Sequence, residues 1–267
     1  RTFREGVADL DALAGTGLLK AEHFLHLRCE LPAEDVVPLA EQVVAHPRVR
    51  MVSLMDHCPG NGQYRDVERF RALRRKEGLG EAMIEAQIDR LQGQRARMRG
   101  PNRAALLARL AGRPLALASH DDSSEAEVVE NFADGIRISE FPVTMAAAAA
   151  AKARGMDVIA GAPNIVRGGS HSGNVAAAEL VAAGAVDALA SDYVPASLVE
   201  AAFRSVETAG IGLPRAVALV TDRPARLARL ADRGRLEPGL RADLVRVRVF
   251  EGLPVVREVW RAGERVA

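Results

Sequence analysis

No run of apolar residues in this 267-residue chain approaches the ~20 needed to span a bilayer. The longest bland stretch, Ala146 to Ala151, ends at Lys152 and reads as a helix. The chain opens Arg1-Thr2-Phe3-Arg4-Glu5 without an initiator Met, and no secretory signal is expected from that opening. Only two cysteines occur, Cys29 and Cys58, and they form no CxxC pair, so a reduced, cytoplasmic setting is expected. Net charge is scarce too: 36 basic residues against 35 acidic ones leave +1. That balance argues against a nucleic-acid surface and against a polybasic membrane anchor. Lysine stands only at Lys20, Lys76 and Lys152, so almost all positive charge sits on arginine. Genome base composition explains such a bias, yet guanidinium forks also suit bidentate recognition of phosphate.

What is present is a large apolar fraction, 48%, beside 27% charged residues, enough for a sizeable core under a solvated surface. Short apolar runs alternate with longer helical patterns, the signature of βα units around a parallel sheet. Strands are expected at 22–31, 49–56, 114–119, 135–141, 157–162 and 186–191. Helices are expected at 33–45, 64–98, 102–111, 124–131, 142–154 and 172–183, then at 197–208, 213–219 and 223–230. The polar 64–98 stretch is too long for a βα loop and reads as a lid, a helical hairpin over the site or a solvated excursion. The fold class is α/β: a TIM-like (β/α) barrel over residues 1–233, then turns and short strands over 234–267. An eight-stranded barrel takes about 250 residues, and six strands do not close one. A hairpin over 245–260 cannot bury a core alone either. An N-terminally incomplete barrel, open near Arg1, is therefore expected, with a remnant of a small β-subdomain at the C-terminus.

The first strand reads Leu25-His26-Leu27-Arg28-Cys29-Glu30-Leu31. Side chains alternate at period two, so Leu25, Leu27, Cys29 and Leu31 face outward and His26, Arg28 and Glu30 face the barrel interior. Three ionisable groups in an interior are costly unless paired, metal-bound or facing an anionic ligand; an edge strand with a wet face is the plainer alternative. Three further strands run into turns at His57, His120 and Asp192. Barrel active sites sit at the C-terminal ends of strands. One such His caps a helix as often as it does chemistry, but Glu30, His57, His120 and Asp192 at four strand ends form a donor set suited to zinc or a related divalent ion. The fifth strand leads into a glycine-rich segment, Gly161 to Asn174, in which Asn164, Arg167, Gly168, Gly169, Ser170, His171 and Ser172 stand before a helix. Glycines allow close backbone approach and a helix N-terminus favours an anion, although this phosphate signal is weak without the P-loop lysine.

The strings His23–Pro32, SLMDHCPG (53–60), LASHDD (117–122), EFPVT (140–144), GAPNIVRGGSHSGNVAA (161–177) and SDYVPASL (191–198) resemble the α-D-ribose 1-methylphosphonate 5-triphosphate diphosphatases of the carbon–phosphorus lyase pathway, within the amidohydrolase superfamily. The resemblance runs from about His23 to the end, and the 161–177 string is its most specific part. GLRADLV (239–245) resembles the returning strand of the superfamily's small β-subdomain. The resemblance implies metal-dependent hydrolysis of a phosphorylated sugar 5-triphosphate to the 5-phosphate and diphosphate. It implies one or two divalent ions, zinc first with manganese or iron as alternatives, on Glu30, His57 and His120, with Asp192 as acid/base and a further ligand. Arg28, Asn164, Arg167, Gly168, Gly169, Ser170 and Ser172 would hold the triphosphate, and His171 would either join them or protonate the leaving diphosphate. The family's first-strand His-x-Asp metal motif has no counterpart in these residues. Partners implied are a small-molecule substrate and neither nucleic acid nor membrane, with a homo-oligomer left open. Two competing readings are a C–N hydrolase acting on a cyclic amide or N-acyl group, and a catalytically dead barrel serving as a binding subunit.

Overall fold

The computed structural model describes residues 3–170 and 173–267. Its elements run α1 (Phe3–Ala14), β1 (Leu25–Glu30), α2 (Val36–Val43), β2 (Val49–Met55), α3 (Val67–Lys76), α4 (Glu81–Leu110), β3 (Ala116–His120), α5 (Glu125–Ala133), β4 (Ile138–Glu140) and α6 (Met145–Ala153). They continue with β5 (Asp157–Gly161), α7 (Ala162–Arg167), α8 (Ala177–Ala182), β6 (Ala188–Ala190), α9 (Ser197–Thr208), α10 (Leu213–Ala218), α11 (Asp222–Leu227), β7 (Leu244–Phe250), β8 (Leu253–Arg261) and β9 (Glu264–Arg265). Strands β1 to β6 form one sheet in strict sequential order, every neighbouring pair parallel. With β1 and β6 as its edges the sheet is a half-barrel, and all six strand C-termini lie on one face.

The alternation read along β1 is realised: Leu27, Cys29 and Leu31 are buried among the outer helices. The inner face carries a small cluster of Ala116, Ala118, Ile138, Ile159 and Ala188, against which Leu227 of α11 packs. Helix α6 is rich in alanine, and Ala147, Ala148, Ala150 and Ala151 are all buried. Small side chains let this helix lie close on the sheet. Helix α5 starts with a complete capping box between Ser124 and Glu127.

Several expected boundaries are corrected. Residues 64–98 are a helical hairpin, α3 and α4, closed over its own core of Phe70, Ile84 and Ile88. Helix α4 does not stop before residue 102 but runs through Pro101 to Leu110. Proline there removes one helical hydrogen bond. Tertiary contacts hold the far side in line: the Asn102 amide donates to the carbonyls of Leu31 and Ala33, both at 2.8 Å, and Arg103 pairs with Asp134 and Asn131. The segment 161–174 opens as helix α7, and the helix expected from 172 begins at Ala177. Helix α1 was not foreseen. Strands β7 to β9 form a separate antiparallel sheet. Val249, Phe250 and Leu253 in it are each more than half exposed, in keeping with a hairpin that cannot bury a core by itself.

Candidate metal and phosphate site

Four strand ends, those of β1 to β4, meet at the centre of the C-terminal face. The register that pairs β3 with β4 sets His120 beside Glu140, and Glu140 Oε2 lies 2.7 Å from His120 Nδ1. Glu30, at the end of β1, accepts from the backbone N–H of His57 at 2.8 Å and from its Nδ1 at 2.7 Å. An ionised carboxylate can only accept, so each imidazole carries its proton on Nδ1 and turns a bare Nε2 towards the centre. His26 sits behind, with Nε2 2.8 Å from Ser53 Oγ.

Both Nε2 atoms face Asp121: Asp121 Oδ2 lies 3.8 Å from His57 Nε2, and Oδ1 lies 3.7 Å from His120 Nε2. The ligating atoms of His57, His120 and Asp121 all fall within 4.8 Å of one another. Asp121 is buried, and its Oδ2 has no hydrogen-bond partner among the described residues. A buried, unpartnered carboxylate oxygen between two histidines held from behind by carboxylates is the arrangement a divalent cation satisfies. The donor set therefore fits such an ion.

Electrostatics agree with the geometry. Burial raises the Asp121 carboxyl above its usual range, with His120 and His57 pulling against it. Burial also raises Glu30, but hydrogen bonds and charge from His57 outweigh it and hold the group low. His57 is depressed by burial, yet the hydrogen bond and charge of Glu30, with Asp121, leave it raised overall. For Glu140, burial raises the group, and His120 together with His26 and Arg28 more than reverses it.

Asp121 adopts a left-handed conformation (φ 57°), which a short polar side chain tolerates. Gly62 (φ +47°) presses against it: a Cβ at residue 62 would lie 2.9 Å from Asp121 Cβ. Gly62→Ala should displace Asp121 and weaken divalent-metal affinity by about 10- to 100-fold, the range for losing a residue that orients a ligand. Calorimetric titration of the metal-stripped protein checks this, and an unchanged affinity would refute it.

The same face holds the remaining candidates. Arg28 lies 3.5 Å from His120 Nε2 and 4.0 Å from Asp192 Oδ1. Asp192 is left-handed (φ 46°) and lines one cavity together with Arg28, His57, His120, Asn164 and Arg167. Glu30 lines a neighbouring cavity that also includes His57. Arg167 donates to the Tyr193 hydroxyl at 2.9 Å. The glycine segment differs from its reading. The Gly168 and Gly169 amides donate to the carbonyls of Asn164 and Ile165, capping α7, with Gly168 left-handed (φ 84°). Asn164 Oδ1 accepts from the Ala177 amide at 2.9 Å and so caps α8. Ser170 lines the cavity and its Oγ accepts from the Asn174 amide. His171 and Ser172 lie outside the described residues.

Sequence reasoning missed Asp121 and Glu140 as members of the centre. Their signal was modest: an acid directly after a strand-end histidine, and an acid closing the next strand.

No protein-family model matches the chain. The α-D-ribose 1-methylphosphonate 5-triphosphate diphosphatase of Escherichia coli (strain K12) is 47% identical over 253 residues, 94% of this chain and 67% of that protein. A solved metal-dependent hydrolase from Pyrococcus horikoshii OT3 superposes with a TM-score of 0.51 at 14% identity, covering 88% of this chain and 52% of that one. That likeness shows the fold. An amidohydrolase from Thermotoga maritima MSB8 gives a TM-score of 0.48 at 18% identity, covering 76% of this chain and 52% of that one. The chain thus spans two thirds of the curated relative and about half of either solved structure. At that identity and coverage, the chain belongs to the α-D-ribose 1-methylphosphonate 5-triphosphate diphosphatase family.

Proposed function

We propose that this chain hydrolyses α-D-ribose 1-methylphosphonate 5-triphosphate to the 5-phosphate and diphosphate. The observation that carries the reading is the His57, His120 and Asp121 cluster lying in one cavity with Arg28 and Arg167, in a chain nearly half identical to an enzyme named for that reaction. His57, His120 and Asp121 would hold a divalent ion, with Glu30 orienting His57 from behind and Asp192 lining the same cavity. Zinc suits a set of imidazole and carboxylate donors, with manganese or iron as alternatives. When bound, the ion supplies Lewis-acid polarisation of a phosphoryl oxygen and acidifies an attacking water.

The chain's own groups do the rest. Asp192 accepts the proton of the attacking water as general base. Arg28 and Arg167 place positive charge along the phosphate chain, with Ser170 as a further donor and Asn164 fixing the segment that carries Arg167 and Ser170. His171 and Ser172, expected on the same loop, are assigned to the same task. A reduced, cytoplasmic setting fits two cysteines that are both free and buried.

Water must reach the α-phosphorus rather than the terminal one, so the β and γ phosphates need the firmer grip. Arg167→Ala should therefore lower kcat/KM on the triphosphate by about one to two decades, since a charge-assisted hydrogen bond is worth about 1.5–3 kcal/mol. The effect on a 5-diphosphate should be smaller. Steady-state kinetics on both substrates check this, and equal losses would remove Arg167 from the phosphate site. The reaction itself is tested by product analysis with the full-length protein. One diphosphate per sugar 5-phosphate is expected, and stepwise orthophosphate release would overturn the reading.

A further inference from the structure

We propose that Arg69, on helix α3, is a positioning residue for the phosphate grip: it braces the segment that carries Ser170 and Asn174 to the cavity. This rests on the reaction proposed above, in which Arg167 and Ser170 hold the phosphate chain. Ser170 and Asn174 line the same cavity as His57, His120 and Arg167. They are tied to each other only by long bonds. The Asn174 amide donates to Ser170 Oγ at 3.3 Å, and the Gly173 amide donates to the Ser170 carbonyl at 3.4 Å. Gly173 between them is left-handed (φ +60°), a conformation that glycine supplies freely and with little stiffness.

Arg69 meets this segment at two adjacent residues. Its Nη1 donates to Asn174 Oδ1 at 3.4 Å. Its guanidinium also occupies the space that a side chain at residue 173 would need, since a Cβ there would lie 2.7 Å from Nη2 and 3.2 Å from Cζ. The guanidinium is aimed from its own helix: Nε lies 3.6 Å from Asp66 Oδ2, and the Asp66 side chain caps α3 by accepting from the Glu68 amide. Arg65 reaches the far end of the same segment. Its Nη1 donates to the Val143 carbonyl at 3.3 Å, the carbonyl that also accepts from the Val175 amide at 3.1 Å.

The α3–α4 hairpin then has a task. Phe70, next to Arg69, is buried in the hairpin's own core with Ile84 and Ile88. Arg95 ties the hairpin to Asp56 at the end of β2. The brace therefore stands on a packed base. Donors held in place before the substrate arrives spare it the entropy of ordering them, and a misplaced segment weakens the grip. The loss on removing Arg69 should fall on the phosphates beyond the α one and leave the metal cluster as it is.

The test uses the full-length, metal-loaded enzyme and reads the ratio of kcat/KM on the sugar 5-triphosphate to that on the 5-diphosphate. Arg69→Ala should lower that ratio about 3- to 10-fold, the scale of coupling within one hydrogen-bonded network. Gly173→Ala should lower it as well, because the new Cβ displaces the guanidinium. In the Arg69→Ala background the same Gly173→Ala change meets no guanidinium, so it reports backbone strain alone, and its effect should be at least about 3-fold smaller. A ratio that stays at the wild-type value in Arg69→Ala, or Gly173→Ala losses equal in the two backgrounds, overturns the proposal and makes Arg69 a tether of the hairpin. A wild type that releases no diphosphate removes the reaction but leaves the brace open to a separate measurement, calorimetric binding of inorganic tripolyphosphate. There a Kd about 3- to 10-fold weaker in Arg69→Ala supports the brace, and an equal Kd overturns it.

Discussion

Asp192→Asn in the full-length protein is expected to lower turnover by about 10²–10⁴-fold while divalent-metal content stays close to that of the wild type. The amide keeps the shape of the carboxylate but cannot accept a proton from the attacking water. Asp192 stands at the end of β6 on a left-handed backbone, 4.0 Å from the Arg28 guanidinium. It lines the cavity with His57 and His120 but is not one of the three residues whose ligating atoms cluster. That separation is why loss of rate without loss of metal is the expected pattern. Metal analysis alongside steady-state kinetics measures both quantities. Turnover near that of the wild type would remove Asp192 from the mechanism, and loss of metal along with rate would make it chiefly a ligand.

His120→Ala should do the reverse, losing metal first and activity as a consequence. His120 brings a bare Nε2 to the centre and is held there by Glu140 at 2.7 Å. Removing it deletes a donor and leaves the buried Glu140 carboxylate without its main partner. The affinity loss should exceed about 100-fold, the upper end of what losing an outer partner of a ligand costs. The unpaired buried carboxylate should also destabilise the fold by about 3–5 kcal/mol. Competition with a chelator measures the first effect and denaturant unfolding of the metal-free protein measures the second. Unchanged affinity would mean the ion is held elsewhere on the face.

Much of this centre could be read from the linear sequence because strand periodicity is short. Alternation along Leu25–Leu31 turns Glu30 and Arg28 inward, and polar residues at strand ends mark His57, His120 and Asp192. What escaped depends on contacts between distant residues. Asp121 enters the centre through a left-handed backbone and the close approach of Gly62, 59 positions earlier in sequence. Glu140 reaches His120 only because the strand register pairs them. The break expected between residues 98 and 102 is absent because Asn102 is tied to the loop after β1, 69 and 71 positions away. Gly168 and Gly169 read as sites of close backbone approach to a phosphate, and glycine pairs also end helices. Here they end a six-residue helix opened by Pro163.

Hydrolysis by the full-length enzyme in ¹⁸O-labelled water, with the products resolved by mass spectrometry, tests directly whether this face directs water to the α-phosphorus of a sugar 5-triphosphate. Label in the sugar 5-phosphate and unlabelled diphosphate are the expected products. Labelled orthophosphate, or label in the diphosphate, would mean that water attacks elsewhere on the chain and would contradict that expectation.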